Sequence, residues 1–545
     1  MRCSFALGAS APSGGFAGCS VPPVILGLGG LLSDPACCIL RNGQIASAVE
    51  QAKVSRQDRL GSFPDEAFNL ALTVAGIEAG NIECVALARP FALGAESAAQ
   101  LELRGRFPNS EIVVVDHHHA HAASAYYASC FRSAGVLSID RAGDFRSAVL
   151  FRGEQNQLTP VRELYFPDSL GDLFNRVTEL LGFEPRADEH KVQWLSASGS
   201  PVHLDAFRKM LHRGGSAWPQ IDRTYLDSDR LTQGGFSSRF YEELGIRASD
   251  SLPFQVKADI AASLQAAISE AVIAILGDTE NVCIAGGVAL NAFLISELER
   301  RFGNVFVQPI AGNAGTALGA ALHVWHRFYD QESRVPFGTL CVGPAYSSEQ
   351  IKQVLENCKL RFHYLLTEGE LIQQAVGALN DEKIVAWMQG RMEFGPRALG
   401  NRSILASPSN PYSTENLNVY IKHRESFRKF AASIPEERAS EYFEAGPNAR
   451  YLATVGRVRP EHRNTFAAAI LGEDLVRVHT VRRDENPLYH ALLTAAGEST
   501  GLPVLYNTSF NLFGVPLVCT PRDAVRSFYS SGIDALFVGS FYLEK

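Results

Sequence analysis

The sequence predicts an α/β fold that is divided into more than one domain. The chain has 545 residues, more than a single compact core usually accommodates. Short apolar runs such as EIVVVD and NVCIAGG end in polar or glycine residues and lead into helical patterns. This order of strand, turn and helix is typical of α/β proteins. With 46% hydrophobic and 20% charged residues, the composition is that of a folded globular protein.

Charge and cysteine usage narrow the class of protein. The net charge of -8 gives no support for a nucleic-acid-binding surface, so no nucleic-acid partner is expected. The ten cysteines show no CxxC pair and no metal-type spacing, which is typical of reduced thiols in the cytoplasm. We expect no apolar run long enough to span a membrane and no secretory signal, and hence a cytoplasmic protein without a membrane partner. Residues 1–24, rich in Gly, Ser, Ala and Pro, are predicted to be a flexible extension.

Ordered structure is predicted to begin with a pair of strands. PVILGLGG reads as an apolar strand, and CCILRNGQIASAVE as a second strand after a short, turn-prone connection, so the two are expected to form a hairpin. The helix FPDEAFNLALTVAG and the strand ECVALA follow. The mixture of strands and crossover helices extends to the run EIVVVDHHHAH.

His117 and His121 lie four residues apart in a segment predicted to be a helix that opens just after a strand. Four residues make about one helical turn, so both imidazoles project from the same face and can chelate a divalent metal. An HxxxH pair on a helix is often only packed or solvated. The end of a strand, however, is where α/β folds place ligands, which favours metal or phosphate chemistry here.

Two further strand ends carry residues suited to a nucleotide. The strand AGVLSID ends at Asp140 and a glycine-bearing turn that can hold phosphate and metal, although a plain hairpin turn would look the same. Gly286 and Gly287 end another strand and open a helix, so the backbone can approach a phosphate closely. Because VFVQPIAGNAG repeats this pattern, the two units together predict one nucleotide-sized cleft.

A second unit is predicted from about residue 340, and it is rich in cations. Guanidinium groups on glycine-bearing loops suit phosphate or carboxylate recognition, and amide and hydroxyl groups at a strand end add neutral donors. We therefore predict an anion site in this half, made by Arg391, Arg397, Arg402, Lys422, Arg424, Arg428, Asn507, Ser509 and Asn511.

Several runs of the chain resemble one enzyme family, the carbamoyltransferases of the nodulation-factor and antibiotic-tailoring type. The similarity extends over roughly residues 25 to 545, and the arginine-bearing block is highly specific to the family. The runs that carry it, in the family's order, are DHHHAHAASAYY, PDSLGDLFNRVTELLGF, DEHKVQWLSASG, AGGVALN, GRMEFGPRALGNRSIL, IKHRESFRKFA and NTSFN.

This resemblance implies two domains with separate tasks. Residues 25–339 would form an actin-like (ribonuclease H-like) ATPase fold, and residues 340–545 a YrdC-like α/β domain. The second domain would combine carbamoyl phosphate and ATP into carbamoyl adenylate. The first would then transfer the carbamoyl group to a hydroxyl of a small molecule of the secondary-metabolite type. The oligomeric state is left open, with a homodimer as one option.

The resemblance also implies roles for individual residues. His117 and His121 match the family's metal histidines, and iron is the divalent metal it implies. Asp140 matches the phosphate-loop aspartate. Arg397 and Arg402 are expected to act in catalysis with these three residues. Nucleotide or phosphate binding is expected from Gly286, Gly287, Asn291, Arg391, Lys422, Arg424, Arg428, Asn507, Ser509 and Asn511.

The chain departs from the family's pattern at four places along the sequence. The third metal ligand is an aspartate in the family and Asn313 here, so a neutral amide should hold a dication more weakly. The family's His-Asp-Ser is replaced by Ser33-Asp34-Pro35. Asp58 stands where the family has a lysine, and His190 where it has a glycine.

These departures leave three hypotheses for the function. The first is an O-carbamoyltransferase with an altered acceptor site. The second is an enzyme that adenylates a carbamoyl or carboxylate group but performs another transfer, to an amine or within one molecule. The third is a catalytically silent homologue that binds a nucleotide or a partner. The nearly complete arginine block favours the first two.

Overall fold

The computed structural model describes residues 23–57, 60–89, 95–211, 218–227, 235–248, 251–334, 337–409 and 412–545. The predicted extension 1–24 lies almost wholly outside the described residues, and so does Asp58.

The first sheet has five strands in the order β3-β2-β1-β4-β5. The predicted first hairpin is confirmed, but its second arm is two strands rather than one. Asn42 and Gly43 both adopt a positive φ, and this Asn-Gly pair makes the tight turn that divides them. The strands are β1 (Val24–Gly29), β2 (Ala36–Arg41), β3 (Gln44–Glu50), β4 (Cys84–Ala88) and β5 (Glu111–Val115).

The second sheet repeats this arrangement. Its first three strands are antiparallel neighbours, and the last two add in parallel on the other side of the first strand. The strands are β6 (Ser133–Gly143), β7 (Arg146–Glu154), β8 (Gln157–Tyr165), β9 (Asn281–Ala285) and β10 (Asn304–Val307), in the order β10-β9-β6-β7-β8. Two sheets with the same third-second-first-fourth-fifth order form the duplicated, actin-like architecture, which confirms the predicted fold of this part of the chain.

Helices α4 (His117–Tyr126) and α11 (Gly315–His323) pack between these two sheets. They approach closely, since a Cβ added at Gly319 would lie 1.8 Å from the carbonyl oxygen of Ala120. Small residues along both helices permit this approach. The close packing fixes the start of α4, where the predicted metal histidines lie, against both sheets.

The third sheet is mixed and has ten strands, in the order β11-β20-β19-β12-β13-β18-β14-β17-β16-β15. The strands are β11 (His363–Tyr364), β12 (Val385–Met388), β13 (Arg402–Ala406), β14 (Ala431–Pro435), β15 (Phe443–Glu444), β16 (Gly456–Val458), β17 (Leu475–Val481), β18 (Leu505–Ser509), β19 (Ala535–Val538) and β20 (Phe541–Glu544).

Helices cover both faces of the third sheet. In β12, Ala386 and Met388 pack into one core and Val385 and Trp387 into the other, as the alternation of side chains along a strand requires. Helices α12 (Ser348–Asn357) and α17 (Pro521–Tyr529) close the first core, and α13 (Glu368–Asn380) and α16 (Pro487–Thr500) the second. The last part of the chain is therefore α/β, as predicted.

The remaining helices surround the first two sheets or connect elements of the third. They are α1 (Gln51–Ser55), α2 (Asp65–Ala75), α3 (Ala95–Arg106), α5 (Leu170–Leu180), α6 (Glu189–Ser196), α7 (Leu204–Met210), α8 (Ser238–Leu244), α9 (Phe254–Leu276), α10 (Ala292–Phe302), α14 (Ser413–Asn416) and α15 (Ala439–Tyr442).

Helix α9 corrects one expectation from the sequence. It is long and apolar enough to cross a membrane, as judged by its length and composition. However, 67% of its most apolar window is buried inside the protein, and a core helix meets the same two criteria.

Candidate functional site

The two predicted metal histidines are oriented by the cap of helix α4. Asp116, which directly follows β5, accepts hydrogen bonds from the backbone N–H groups of His118 (3.1 Å) and His119 (3.2 Å). A capping carboxylate satisfies N–H groups that have no partner within the helix, and it fixes the position of the first turn. His117 and His121 then project from one face, with ring centroids 4.7 Å apart.

Asp140 completes a cluster of three ligand groups with these histidines. Its Oδ2 lies 3.1 Å from Nε2 of His117 and 3.4 Å from Nε2 of His121, and the ligand atoms of the three residues lie within 4.8 Å of one another. Burial alone would raise the pKa of Asp140, but the two imidazoles hold it well below the ordinary value. The sequence placed Asp140 in a phosphate turn, whereas the structure places it between the two histidines.

Asn313 lies at the same cluster with its amide oriented by Ser33. Its Nδ2 donates to Oγ of Ser33 at 2.7 Å, and its Oδ1 is buried without a hydrogen-bond partner among the described residues. Both ring nitrogens of His121 are likewise buried and make no hydrogen bond there, although Nε2 lies 3.4 Å from the carboxylate of Asp140. Two imidazoles, a carboxylate and an amide oxygen form a donor set that suits a divalent transition metal, so these residues fit the metal that the resemblance implies.

The glycine turn predicted to bind a nucleotide adjoins this cluster. Gly286 has a φ of +100°, and a Cβ there would lie 2.0 Å from the carbonyl oxygen of Ile139, so only glycine fits. A Cβ on Gly287 would lie 3.0 Å from Oδ1 of Asp140. Asn291 caps α10 by accepting a hydrogen bond from the N–H of Leu294 at 3.0 Å.

One cavity of about 1030 Å³ brings most of the predicted residues together. Its walls come from the two N-terminal sheets and from the third sheet, so the metal-type cluster and the predicted anion site face the same space. The predicted residues that line it are His117, Asp140, Gly287, Asn291, Asn313, Arg397, Arg424, Arg428, Asn507 and Ser509. His121 and Gly286 lie directly behind this lining.

Four arginines from the C-terminal part of the chain line the same cavity as His117: Arg397, Arg424, Arg428 and Arg477. Of these, only Arg428 has a carboxylate within 4.0 Å in the described part of the chain, which is Glu425 at 3.8 Å. Arg424 lies over the ring of Phe430 at 4.4 Å, and Arg477 over that of Trp194 at 4.9 Å. We call these four residues the arginine cluster.

The arginine cluster carries positive charge that its surroundings leave largely uncompensated. Burial, together with the neighbouring Arg428, lowers the pKa of Arg397 to about 10 and that of Arg424 to about 9. Burial and three neighbouring arginines hold the pKa of Arg477 well below its ordinary value. With pKa values of about 10 and 9, Arg397 and Arg424 are still charged at neutral pH, so the cluster is suited to bind a multiply charged anion.

Two predicted phosphate-binding arginines do not reach the cavity. Arg402 is fully buried, and its guanidinium donates to the carbonyl oxygens of Gln389 (2.5 Å) and Pro344 (3.2 Å), among others. Arg391 donates to the carbonyl oxygens of Ala46 (2.8 Å) and Gly343 (3.1 Å). Since most of their donors are already occupied by backbone carbonyl oxygens, these residues support the surrounding loops, and the geometry gives no support to a direct phosphate contact.

Lys422 and Asn511 also lie outside the cavity lining. The ammonium group of Lys422 donates to the carbonyl oxygen of Ser509 and to both oxygens of Asn511, which are 2.8 Å away. Ser509 itself lines the cavity, as does Asn507, whose Oδ1 is buried without a partner among the described residues. Lys422 therefore holds the end of β18, from which two polar side chains face the cavity.

The sequence analysis missed Arg477 and the residues that hold the Arg397 loop. Arg477 lies in the strand LVRVHTV. The alternation of side chains along this strand does not show which of its two faces lines a cavity. Lys53, from α1, donates to the carbonyl oxygens of Glu393 (3.0 Å) and Gly395 (2.6 Å). Oε1 of Glu393 in turn accepts three backbone N–H groups, including that of Leu399 at 2.8 Å. The bonds of Lys53 follow no local sequence signal, because they join segments distant in the chain, whereas those of Glu393 close a loop within its own segment.

Two family models match the chain over most of its length. One, described as "Carbamoyltransferase N-terminus", covers residues 89–322, and the other, "Carbamoyltransferase C-terminus", covers residues 376–545. The first contains His117, His121 and Asp140, which we call the histidine cluster, and the second contains the arginine cluster.

Several curated proteins are similar to the chain. The uncharacterized protein sll1178 of Synechocystis sp. is 32% identical, covering 96% of each chain. The nodulation protein NolNO of Sinorhizobium fredii is 32% identical, covering 94% of this chain and 79% of that protein. The 3'-hydroxymethylcephem-O-carbamoyltransferase of Amycolatopsis lactamdurans is 32% identical over 48% of each chain.

Proposed function

Since the chain belongs to the carbamoyltransferase family, we propose that it uses ATP and carbamoyl phosphate to transfer a carbamoyl group to a hydroxyl of a small molecule. The observation that carries this proposal is that one cavity is lined both by residues of the metal-type cluster and by the four arginines. A substrate with several phosphate charges and a polarisable carbonyl requires both features.

The first half-reaction would form carbamoyl adenylate. Atom balance requires one carbamoyl phosphate, one ATP and one water to give carbamoyl adenylate, pyrophosphate and orthophosphate. Carbamate is a poor electrophile, and the adenylate supplies it with a good leaving group. Arg397, Arg424, Arg428 and Arg477 would bind the phosphate groups and stabilise the charge that develops on them. Asn507 and Ser509 would add neutral hydrogen-bonding groups at the same wall.

The second half-reaction would take place toward the histidine side of the cavity. His117, His121, Asp140 and Asn313 would hold a divalent metal, iron by the family resemblance. When bound, such an ion would polarise the carbamoyl or phosphoryl oxygen. Because Gly287 has no side chain, a bound ligand would be able to approach the carboxylate of Asp140. A side chain at this position would fill the space beside that carboxylate. The acceptor would be a hydroxyl compound of the secondary-metabolite type.

We also propose that the two domains carry out separate steps of the reaction, as the resemblance implies. Residues 25–339 would form the transfer domain, and residues 340–545 the domain that forms the adenylate. The shared cavity supports a direct passage of the intermediate from the arginine cluster to the histidine cluster, because both line the same space.

The proposal is tested by incubating the protein with ATP and labelled carbamoyl phosphate. We expect pyrophosphate release that depends on carbamoyl phosphate, and a labelled adenylate that chromatography separates from ATP. An Arg428→Met variant should lose both products. If the natural protein releases no pyrophosphate, the adenylate scheme is wrong for this chain. A panel of hydroxyl and amine compounds then identifies the acceptor, and labelling of amines alone would favour the divergent transfer.

A further inference from the structure

His190 lies on the cavity wall in the first turn of α6, where the sequence departs from the family's glycine. Its Nδ1 is 3.0 Å from the carbonyl oxygen of Ala187. A carbonyl oxygen can only accept a hydrogen bond, so Nδ1 carries the hydrogen of the neutral ring. The lone pair is therefore on Nε2, for which no hydrogen-bond partner is present in the described part of the chain.

The charges around His190 come from its own helix and from the arginine cluster. Arg428 and Arg397 place positive charge near its ring, and Asp188 places negative charge there from the N-terminal end of α6. Lys191 pairs with Asp188 at 3.0 Å and with Glu425 at 3.0 Å, and this pairing compensates part of the local negative charge. Burial first, and then Arg428, lower the pKa of His190 to about 4. In the free cavity the imidazole is thus neutral and a weak base.

We propose that His190 is the residue of this cavity that accepts the proton of the attacking hydroxyl, and that it becomes competent when a phosphate-bearing ligand occupies the arginine cluster. This inference rests on the proposed function. In the step, the hydroxyl oxygen attacks the carbamoyl carbon and the bond from that carbon to the phosphate oxygen breaks. The hydroxyl proton moves to Nε2, so that the products are the carbamate ester, AMP and an imidazolium ion.

Ligand charge explains why His190 acts only in the loaded cavity. Phosphate oxygens beside Arg397 and Arg428 would neutralise the two cations that now disfavour protonation of the ring. The pKa of His190 should then rise from about 4 toward the ordinary value of about 6.5. A base in that range is well matched to general-base catalysis near neutral pH.

The test is proton uptake on binding of ADP, a nucleoside diphosphate that has no γ-phosphate to transfer. Calorimetric titrations at pH 6.0, in two buffers of different ionisation enthalpy, give the number of protons taken up with each ADP. The natural protein should take up more protons than the His190→Asn variant, up to about 0.7 proton if the pKa moves the whole way from about 4 to about 6.5. A His190→Gln variant should behave in the same way, and the difference should disappear at pH 8. The matched control is His203→Asn, which changes a histidine outside the cavity lining and should leave the uptake unchanged.

The outcomes separate this inference from the proposed function. Equal proton uptake by the natural protein and by both His190 variants, with ADP bound to all three, would overturn the role of His190 alone. If the natural protein does not bind ADP, the proposed nucleotide site fails, and the inference fails with it. Loss of the extra uptake in the His190 variants only is the result expected.

Discussion

Arg397 allows stability and ligand binding to be separated in one substitution. Its side chain lines the cavity, and the one hydrogen bond that it makes to the described part of the chain, from Nη2 to the carbonyl oxygen of Leu290, is long at 3.4 Å. In the free protein this guanidinium is therefore only weakly held. Burial and the neighbouring Arg428 both disfavour its positive charge. We predict that Arg397→Met stabilises the free protein and abolishes tight nucleotide binding.

The gain in stability and the loss of nucleotide binding both follow from removing the positive charge of the Arg397 guanidinium. A pKa lowered from 12.5 to about 10 corresponds to about 3 kcal/mol for keeping the guanidinium charged in the fold. This penalty applies fully at pH 7, below both values, and would decline only as the pH rises above 10. Because the side chain faces water in the cavity, we expect a gain of about 1 to 2 kcal/mol in the free energy of unfolding. Loss of a charge-assisted phosphate contact should weaken ADP binding by about 2 to 4 kcal/mol.

The assay compares Arg397→Met with Arg402→Met. Thermal and urea unfolding give the change in stability, and calorimetry gives the affinity for ADP. Arg402→Met should destabilise the protein strongly, because it leaves buried carbonyl oxygens such as that of Gln389 without a donor. If Arg397→Met destabilised the protein as much as Arg402→Met, or bound ADP with natural affinity, our account of the arginine cluster would be refuted.

Three further predictions concern the metal and pH. The His117→Ala/His121→Ala double variant should lose its divalent metal, measured by elemental analysis after equilibrium dialysis, and should still bind ADP; an equal loss of both would indicate a single inseparable site. Asn313→Asp should tighten metal binding by about 1 to 3 kcal/mol, because it restores a charged ligand, whereas Ser33→Ala should weaken it by freeing the amide that Ser33 orients; unchanged dialysis constants would remove Asn313 from the ligand set. His479 is buried, and burial lowers its pKa to about 3, so the stability it contributes is complete above pH 6.5 and is lost as the pH falls from 6.5 toward 3; His479→Gln should lose less stability than the natural protein between pH 6.5 and 4 in urea titrations.

Local patterns were sufficient to predict the strands that lead into the site. The apolar run EIVVVD ends where α4 begins, and the spacing of His117 and His121 placed both imidazoles on one face. The turn at Gly286 was predicted from its glycines, and its positive φ confirms why glycine is required. These features depend on neighbours within a few residues, which the sequence displays directly.

Features that depend on distant contacts could not be predicted. The sequence cannot show that Arg391 and Arg402 direct their donors to carbonyl oxygens, because these lie in other segments, such as that of Ala46. The side chain of Arg477 points into the cavity because of the way β17 packs in the third sheet. For the same reason, the position of Asp140 between two histidines was assigned only from the folded structure.

The bonds that join the early and late parts of the chain have a consequence for how the polypeptide could be divided. Lys53 holds the loop at Gly395, Arg391 holds β3 through Ala46, and Asn448 bridges β10 through the N–H of Val307 at 3.1 Å. Each bond joins a side chain of one part of the chain to a backbone group of the other part. Two separately synthesised fragments, one ending after α11 and the other beginning before α12, should therefore reassemble without a covalent connection. A gene fission at this point would then leave a two-subunit protein with the cavity at the subunit boundary.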